Sequence, residues 1–463
     1  MGAGYPHPTA PPDCADFVLP LLQHCLQLTI LTTSREPLCF QAESLFWLQG
    51  LSVAASDADS KQVPQHLRPS SAVRLFASRA AAVDPDFKLA AANAGQVSQI
   101  CQFVGGRPLA IELAAGLLGR RTLAEVVQSL TTSLDTLVTQ QRDVAQRHRS
   151  MRLILEQSWE LLNASVQRLF ARLALFQGGC TVEALLAITQ ADPFIVDGLV
   201  ERGLLRRGKN GRYHLHPLLQ QFASEKHRYL LAQSTKAALK RAYCLTYLQY
   251  LNDMAPALTG ATPHLAAQQL LPDLDNGLQA WRLAVQAKEF DLLPRATVAL
   301  GEFYLLTGRY EEGIEAVEMA LGCLKRSRTA EKLVQSRLHY YQARYLLRLS
   351  RFEEGVLSAE TAVQLGGEAT VETGYGYFAL ARLRHEQNEL TTAVSHYHHA
   401  LTIAQASDDP QLEALINLRL ANAYAALGEL DIATARQQLA GHHFRRQQNR
   451  YLEAHYKRFR ADW

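Results

Sequence analysis

The chain has 463 residues, of which 48% are hydrophobic and 20% charged, and a net charge of +3 that neither favours nor excludes a nucleic-acid partner. This length is too great for one compact core and fits about three domains. Seven cysteines, an odd number with no C-x-x-C pair, argue against a disulfide framework or zinc site and for a reducing, cytoplasmic location. No apolar run reaches membrane-spanning length.

The N-terminal part combines an irregular leader with a small α/β segment. Residues 1–13 are rich in proline and glycine and are predicted to be disordered. Apolar residues at helical spacing predict a short helix over 16–27, and the β-prone runs 28–33 and 46–53 predict two strands. Parallel sheets normally have covered faces and edges, so two strands predict only a remnant of an α/β domain over 14–55.

Residues 56–145 are predicted to form a helical domain. The helical pattern runs from Ser70 to about Val138. The glycine pair Gly105-Gly106 is expected to end one helix, and Pro108 to begin the next.

A winged helix is predicted over 146–230. Four helices are expected, with Ser165 as an N-cap, followed by a hairpin turn at Asn210-Gly211 and a last helix beginning at Pro217. The four predicted helices cover 151–162, 165–175, 182–189 and 194–202. Basic residues give the predicted wing a positive edge that suits phosphate contact; they are Arg202, Arg206, Arg207, Lys209 and Arg212.

The remainder, 231–463, is predicted to be an α-solenoid. Four similar segments begin at 308, 350, 388 and 428, so successive starts lie 42, 38 and 40 residues apart. Such a period is typical of paired-helix repeats, and the segments resemble tetratricopeptide repeats, with alanines at 320, 362 and 400 near the usual small-residue position. The basic and aromatic stretch 442–460 is interpreted as an amphipathic capping helix, the alternative being a nucleic-acid-binding stripe.

Two motifs carry a family resemblance. Residues 28–38 read Leu-Thr-Ile-Leu-Thr-Thr-Ser-Arg-Glu-Pro-Leu, and residues 104–115 read Val-Gly-Gly-Arg-Pro-Leu-Ala-Ile-Glu-Leu-Ala-Ala. With 150–176 and 213–223, they resemble the STAND-class, NB-ARC-like ATPases of bacterial AfsR- and LuxR-type regulators, in an N-terminally truncated form. The fold expected is therefore mainly α: an α/β nucleotide-domain remnant, a helical lid domain, a winged helix and a tetratricopeptide-like solenoid.

The resemblance implies roles for three residues. It implies that Arg35 senses a terminal phosphate, that Pro108 lies beside the adenine, and that His216 of the winged helix contacts ADP. It also implies that nucleotide exchange rearranges the module and that the repeats sense an inducer or partner.

The chain departs from this family at the phosphates. No G-x-x-x-x-G-K-[ST] loop occurs, no carboxylate is placed to hold magnesium, Arg107 replaces a usual leucine and Pro217 stands where aspartate is frequent. ADP or ATP binding is therefore expected to be weak or absent, with no hydrolysis and no enzymatic role. Histidines 396, 398 and 399 are interpreted as a solvated helix face, so no metal site is expected.

The main hypothesis is a cytoplasmic signal-transduction or transcription-regulator fragment whose repeats bind a protein or a small-molecule inducer. Two alternatives stay open. In one, a separate chain carrying the phosphate loop completes a working ADP/ATP switch. In the other, the winged helix binds DNA directly.

Overall fold

The computed structural model describes the greater part of the chain. Predictions for the leader 1–13 and for Arg35 lie outside the residues described. The chain divides into two compact units, Met1–Leu239 and Lys240–Trp463. The described residues are 18, 20–25, 27–33, 41, 43–46, 48, 50–53, 70–132, 134–138, 150–208, 210–287, 293–324 and 329–446.

The first unit is mainly helical, as predicted. Helix α1 comprises residues 18 and 20–24. The following helices are α2 (Ser71–Val83), α3 (Ala91–Phe103), α4 (Pro108–Gly116), α5 (Leu123–Thr132), α6 (Met151–Glu160), α7 (Ala164–Arg172), α8 (Val182–Thr189), α9 (Pro193–Glu201) and α10 (Pro217–Leu230). Short 3₁₀ turns lie at Leu117–Gly119, Leu134–Thr136 and Leu173–Leu175.

The two strands predicted near the N-terminus are wrong for the residues that the structure describes. Residues 28–33, and those of 46–53 that are described, form no strand. Part of the second run instead lies against helices: the Leu51 N–H donates to the Gly106 carbonyl at 2.7 Å, and Ala72 N–H donates to Ser52 at 3.1 Å. A β-prone run needs a neighbouring strand to form a ladder, and here helix termini satisfy part of the backbone instead.

The hairpin is present where the sequence predicts it. Strand β1 (Arg206–Arg207) pairs antiparallel with β2 (Tyr213–His214), and Gly211 in the turn has a φ of +77°. Cys180 forms an isolated bridge with Tyr213. The order of helices, hairpin and helix α10 is the order predicted for a winged helix.

The N-cap of α7 corrects one detail of the sequence analysis. Asn163, and not Ser165, is the N-cap, and its side chain accepts from the backbone N–H groups of Ser165 and Val166 at 3.1 and 3.0 Å. An asparagine carbonyl oxygen suits this position as well as a serine hydroxyl does, so sequence preference alone could not choose between the two residues.

The second unit consists of paired helices. Helix α11 (Gln233–Thr259) spans the division between the units. It is followed by α12 (Pro263–Leu270), a 3₁₀ turn (Leu271–Asp273), α13 (Leu274–Ala287), α14 (Leu293–Thr307), α15 (Tyr310–Cys323), α16 (Thr329–Arg348), α17 (Phe352–Gly366), α18 (Val371–Glu386), α19 (Leu390–Ala406), α20 (Pro410–Ala426) and α21 (Leu430–Arg446). Most of the predicted capping segment 442–460 lies outside the described residues.

The first residue of each predicted repeat motif ends a helix in the left-handed conformation. Gly308, Ser350, Asn388 and Gly428 have φ values of +73°, +59°, +64° and +85°. In each case the next N–H donates to a carbonyl in the last helical turn, over 2.9 to 3.1 Å, which is the pattern of a Schellman cap. The repeated turns are therefore helix C-caps, which explains why the motifs recur at the ends of α14, α16, α18 and α20.

The small-residue position of each repeat is fully buried. Ala320, Ala362 and Ala400 are each 0% exposed, and Ala440, at the same place in the fourth repeat, is also 0% exposed. A methyl group there lets the second helix of each pair approach its neighbours closely. The mainly α, repeat-containing fold predicted from the sequence is confirmed.

Candidate functional site

His216 begins helix α10 and is held there by its own backbone. It is the N-cap residue, and its Nδ1 accepts from the Leu218 N–H at 3.2 Å. Because Nδ1 uses its lone pair, the proton of the neutral imidazole must lie on Nε2. Capping therefore fixes the tautomer and makes Nε2–H a hydrogen-bond donor.

An aromatic cluster fixes α10 against the helices before it. The rings of Trp159, Phe170 and Phe222 contact one another with centroids 5.9 to 6.1 Å apart. The Lys226 ammonium lies 5.0 Å from the Trp159 ring and 4.7 Å from the Phe222 ring. These contacts join α6, α7 and α10, so the position of His216 depends on residues far from it in sequence.

Ion pairs between α6 and α10 add to this attachment. Arg152 pairs with Glu225 at 2.6 Å and with Asp135, and Lys226 pairs with Glu156 at 2.7 Å. The hydrogen bonds that Arg152 donates to the Glu225 carboxylate raise the pKa of the guanidinium above its ordinary value despite partial burial. Asp135 is exposed, but the side chains of Arg152, Glu225, Lys226 and Glu156 are only partly exposed, so solvent screens their ion pairs less than an isolated surface pair.

The loop between α3 and α4 places its backbone directly against the His216 ring. Gly105 and Gly106 have φ values of +62° and +66°, which favour glycine. A Cβ atom built on Gly105 would lie 1.7 Å from His216 Nε2. Any larger residue at 105 would therefore displace the imidazole. Besides separating helices α3 and α4, the glycine pair makes room for the His216 ring.

The electrostatics at this junction favour an anion. His216 Nε2 is buried and has no hydrogen-bond partner among the described residues. Burial, together with the positive charges of Arg107 and Arg206, lowers the pKa of His216 from 6.5 to about 3. Burial and Arg206 also lower the pKa of Arg107. The neutral ring thus presents an unsatisfied N–H donor in a positive environment, and an anionic oxygen matches both properties.

The structure brings together part of the predicted site. His216 meets the loop that precedes Pro108, and Pro108 is the first residue of α4, exposed and capped by Arg107. Arg35 lies outside the described residues. The roles that the resemblance implies for Arg35, Pro108 and His216 stay predictions.

A cavity of about 280 Å³ opens beside Arg107. It is lined mainly by apolar side chains of α6 and α10 and of the segments that follow α6 and α9: Ile154, Leu155, Leu161, Leu162, Leu204 and Leu219. Its size is near the lower end of small-molecule sites, and its apolar walls suit a flat ring better than a charged group.

Two features of this region were missed in the sequence. The contact between Gly105 and His216 has no local signal, because the two residues are far apart in the chain. The segment 203–209 has the glycine and lysine spacing of a phosphate loop, but Asn210 stands at the hydroxyl position and Arg206–Arg207 within it is strand β1. A strand at that point excludes the loop-to-helix geometry that cradles phosphates.

The predicted basic edge of the wing is smaller than expected. Arg206 and Arg207 are exposed, but Arg212 is only 7% exposed and donates to the Gly179 carbonyl at 3.4 Å. Arg202 donates to the Gly198 carbonyl at 3.0 Å, and Lys209 lies outside the described residues. The prediction of Arg212 as an edge residue is therefore wrong, since packing beneath the hairpin takes up its guanidinium.

The histidines of α19 contact aromatic rings rather than standing free in solvent. His396 and His399 stack on Tyr377, with centroids 5.9 and 5.4 Å apart, and His398 lies 2.9 Å from the Tyr424 hydroxyl. In the described part of the chain, no three His, Cys, Asp or Glu side chains are grouped so as to hold a metal ion.

Comparison with known proteins links the chain to bacterial regulators. No family model matches the sequence. It is 35% identical over 224 residues to proteins described as HTH-type transcriptional regulators in Mycobacterium bovis and Mycobacterium tuberculosis, covering 46% of this chain and 24% of each relative. The chain thus spans about a quarter of the length of these relatives. An uncharacterized protein of M. tuberculosis is 28% identical over 260 residues, covering 53% of this chain and 61% of that protein.

Two solved structures are also similar. One is a STAND protein with a tetratricopeptide repeat sensor from Pyrococcus horikoshii, at 15% identity and a TM-score of 0.28, covering 83% of this chain and 61% of that one. The other is BtubC from P. vanneervenii, at 20% identity and a TM-score of 0.32, covering 44% and 88%. The predicted resemblance to bacterial transcriptional regulators agrees with the similarity to the mycobacterial proteins. The assignment to the STAND class stays a prediction. The part of the chain that the structure describes contains no helix with the length and apolarity needed to span a bilayer.

Proposed function

We propose that this chain is part of a signal-transducing transcriptional regulator. In this proposal the repeats of the second unit bind a small-molecule or protein inducer, and the junction of Gly105 and His216 contacts the phosphates of an adenine nucleotide. The sequence similarity to transcriptional regulators supports the proposed regulator role. The unsatisfied Nε2–H of His216 is the observation that carries the proposed phosphate contact.

The residues at the junction of Gly105 and His216 fit the phosphates of a nucleoside diphosphate. An ADP molecule would supply phosphate oxygens that accept from the Nε2–H of His216. The positive charge of Arg107 would stabilise the negative charge of those oxygens. The tautomer set by the Leu218 N–H orients the donor before binding, so little ordering is needed. The apolar cavity beside Arg107 suits the adenine ring.

The affinity should be low in this chain alone. One imidazole and one arginine give far less compensation for a pyrophosphate than a phosphate loop with its backbone N–H groups, lysine and magnesium. We expect a Kd of roughly 0.1 mM or weaker for ADP.

Calorimetric titration with ADP tests this proposal. The wild-type chain should bind weakly, His216→Ala should lose the binding, and His214→Ala should keep it, because His214 lies against Gly179 rather than Gly105. Equal binding by the His216→Ala variant would contradict the proposed contact. Submicromolar binding by the wild type would show that the phosphates are gripped by more than this junction.

A further inference from the structure

A polar position recurs in the first helix of each repeat of the second unit. Glu302, Arg344, Arg382 and Asn422 lie on α14, α16, α18 and α20, each at the same distance along the chain before the turn residue that ends its helix. In neighbouring repeats such positions stack next to one another. The four residues therefore form a ladder from repeat to repeat.

The first pair in this ladder is electrically balanced. Arg344 Nη1 lies 2.5 Å from Glu302 Oε1, and the Tyr341 hydroxyl donates to the same oxygen at 3.2 Å. Both charged side chains are 18% exposed. A carboxylate in one repeat thus neutralises the arginine of the next, as a part-buried charge requires.

Arg382 has no such carboxylate. It is 8% exposed and makes no hydrogen bond or ion pair with any residue that the structure describes. The ladder continues to Asn422, whose amide is neutral and whose Oδ1 is itself buried without a hydrogen-bond partner among those residues. Burial and the charges of Arg419, Arg344 and Arg348 lower the pKa of Arg382 to about 9.

Two more side chains near Arg382 lack partners in the described chain. The ring of Tyr397 packs against Phe378, one helical turn before Arg382, with centroids 6.1 Å apart, and Arg419 lies about one turn before Asn422 on α20. Arg419 of α20 forms no ion pair there, and burial is the main cause that lowers its pKa. The hydroxyl of Tyr397, a residue that is 0% exposed, has no hydrogen-bond partner. The charge of Glu386 acts on Arg419 and Tyr397, but this exposed carboxylate forms no ion pair with Arg419.

We propose that Arg382, Arg419 and Tyr397 form a binding site for a compact oxyanion, the phosphate or carboxylate group of a small-molecule ligand. The proposal rests on the role proposed above for the repeats and names the chemical class of their ligand. Guanidinium groups match the oxygens of phosphate and carboxylate in pairs, and a tyrosine hydroxyl adds a donor. A bound oxyanion would supply the negative charge that Glu302 supplies one repeat earlier.

Binding of inorganic phosphate to the full chain tests the proposal, with succinate as the carboxylate probe. Calorimetry and thermal unfolding of the second unit should show saturable binding of at least one of the two probes, relative to potassium chloride at the same ionic strength. Arg382→Met and Arg419→Met should each weaken it roughly ten- to hundredfold. Arg295→Gln, which removes an exposed arginine of α14, is the matched control and should bind as the wild type does.

A second measurement separates ligand binding from a structural role. Without phosphate or succinate, Arg382→Met should be at least as stable as the wild type, because an unpaired buried charge is replaced by an apolar chain of similar shape. A marked loss of stability would show an internal partner for Arg382 and would overturn the proposal. So would the absence of saturable binding, or an equal rise in the unfolding midpoint of the wild type and Arg382→Met. Failure here would leave the ADP contact at His216 untouched, since that contact is measured with His216→Ala.

Discussion

The two units of this chain position their side chains by different rules. In the second unit one local rule is repeated: a left-handed cap ends a helix, and a buried alanine follows at a fixed distance in the next. In the first unit the position of His216 depends on contacts between α6, α7 and α10 and a distant glycine loop. The repeats of the second unit should therefore tolerate a change in one repeat, whereas the position of His216 depends on each contact between distant segments.

The charges differ in the same way. The Arg152 network of the first unit occurs once and fastens two helices. In the second unit a polar position recurs, so the lack of a carboxylate beside Arg382 can be recognised against the balanced pair of Arg344 and Glu302. The Arg344–Glu302 pair thus serves as the reference that reveals the missing carboxylate beside Arg382.

The largest effect should come from the aromatic cluster. Phe222→Ala removes a ring that is 2% exposed, and it should lower the free energy of unfolding of the first unit by about 3–5 kcal/mol. Phe194→Ala, at a residue 84% exposed, is the control and should have an effect below about 0.5 kcal/mol. Urea unfolding followed by tryptophan fluorescence, to which Trp159 contributes, measures both.

The Phe222→Ala variant also tests whether the two units unfold independently. The second unit should unfold at an unchanged urea concentration, as monitored by helical circular dichroism. If its transition shifted together with that of the first unit, the two would not be separate cooperative units.

The glycine loop gives the next largest effect. Gly105→Ala places a methyl group on the His216 ring at a positive φ, and should destabilise the first unit by about 2–4 kcal/mol. Gly95→Ala, inside α3 with no atom within 4 Å of the added Cβ, should instead stabilise by about 0.5–1 kcal/mol. Thermal unfolding of the Gly105→Ala and Gly95→Ala variants distinguishes the effect of the contact with His216 from a general effect of replacing glycine by alanine.

The second unit could be predicted from the sequence because its determinants are local. The residues at 308, 350, 388 and 428 are caps that any helix of this type needs, and the alanine position follows from the period. The unpaired charge of Arg382 could not be predicted, because a missing partner becomes visible only when the helices are assembled.

The first unit could be predicted only in outline. Helix order and the turn at Gly211 follow from local signals. The runs 28–33 and 46–53 were predicted to be strands because β-propensity does not tell whether a neighbouring strand exists. The meeting of Gly105 and His216 depends on tertiary packing, and no pattern within either segment encodes it.

A pH series tests the electrostatic environment of His216 in the first unit. The folded chain holds His216 neutral down to about pH 3, whereas the unfolded chain protonates it near 6.5. Since the unfolded state binds the extra proton in this interval, stability falls as the pH is lowered from 6.5 toward 3. His216→Asn should have a shallower slope there yet match the wild type at pH 8, because asparagine can also cap α10. Identical slopes in urea unfolding would contradict the shifted pKa.

The smallest effect tests the local rule itself. Ser350 adopts a φ of +59° where Gly308 and Gly428 stand in other repeats. Ser350→Gly should relieve strain but add freedom to the unfolded chain, with a net gain of about 0.5 kcal/mol. Gly428→Ala, which meets no atom within 4 Å, should lose about 1 kcal/mol from backbone strain alone. Urea unfolding of the two variants measures whether their free energies of unfolding change in opposite directions. If both substitutions acted in the same direction, the left-handed caps would not be the feature that sets the turns, and the repeats would owe their geometry to helix packing instead.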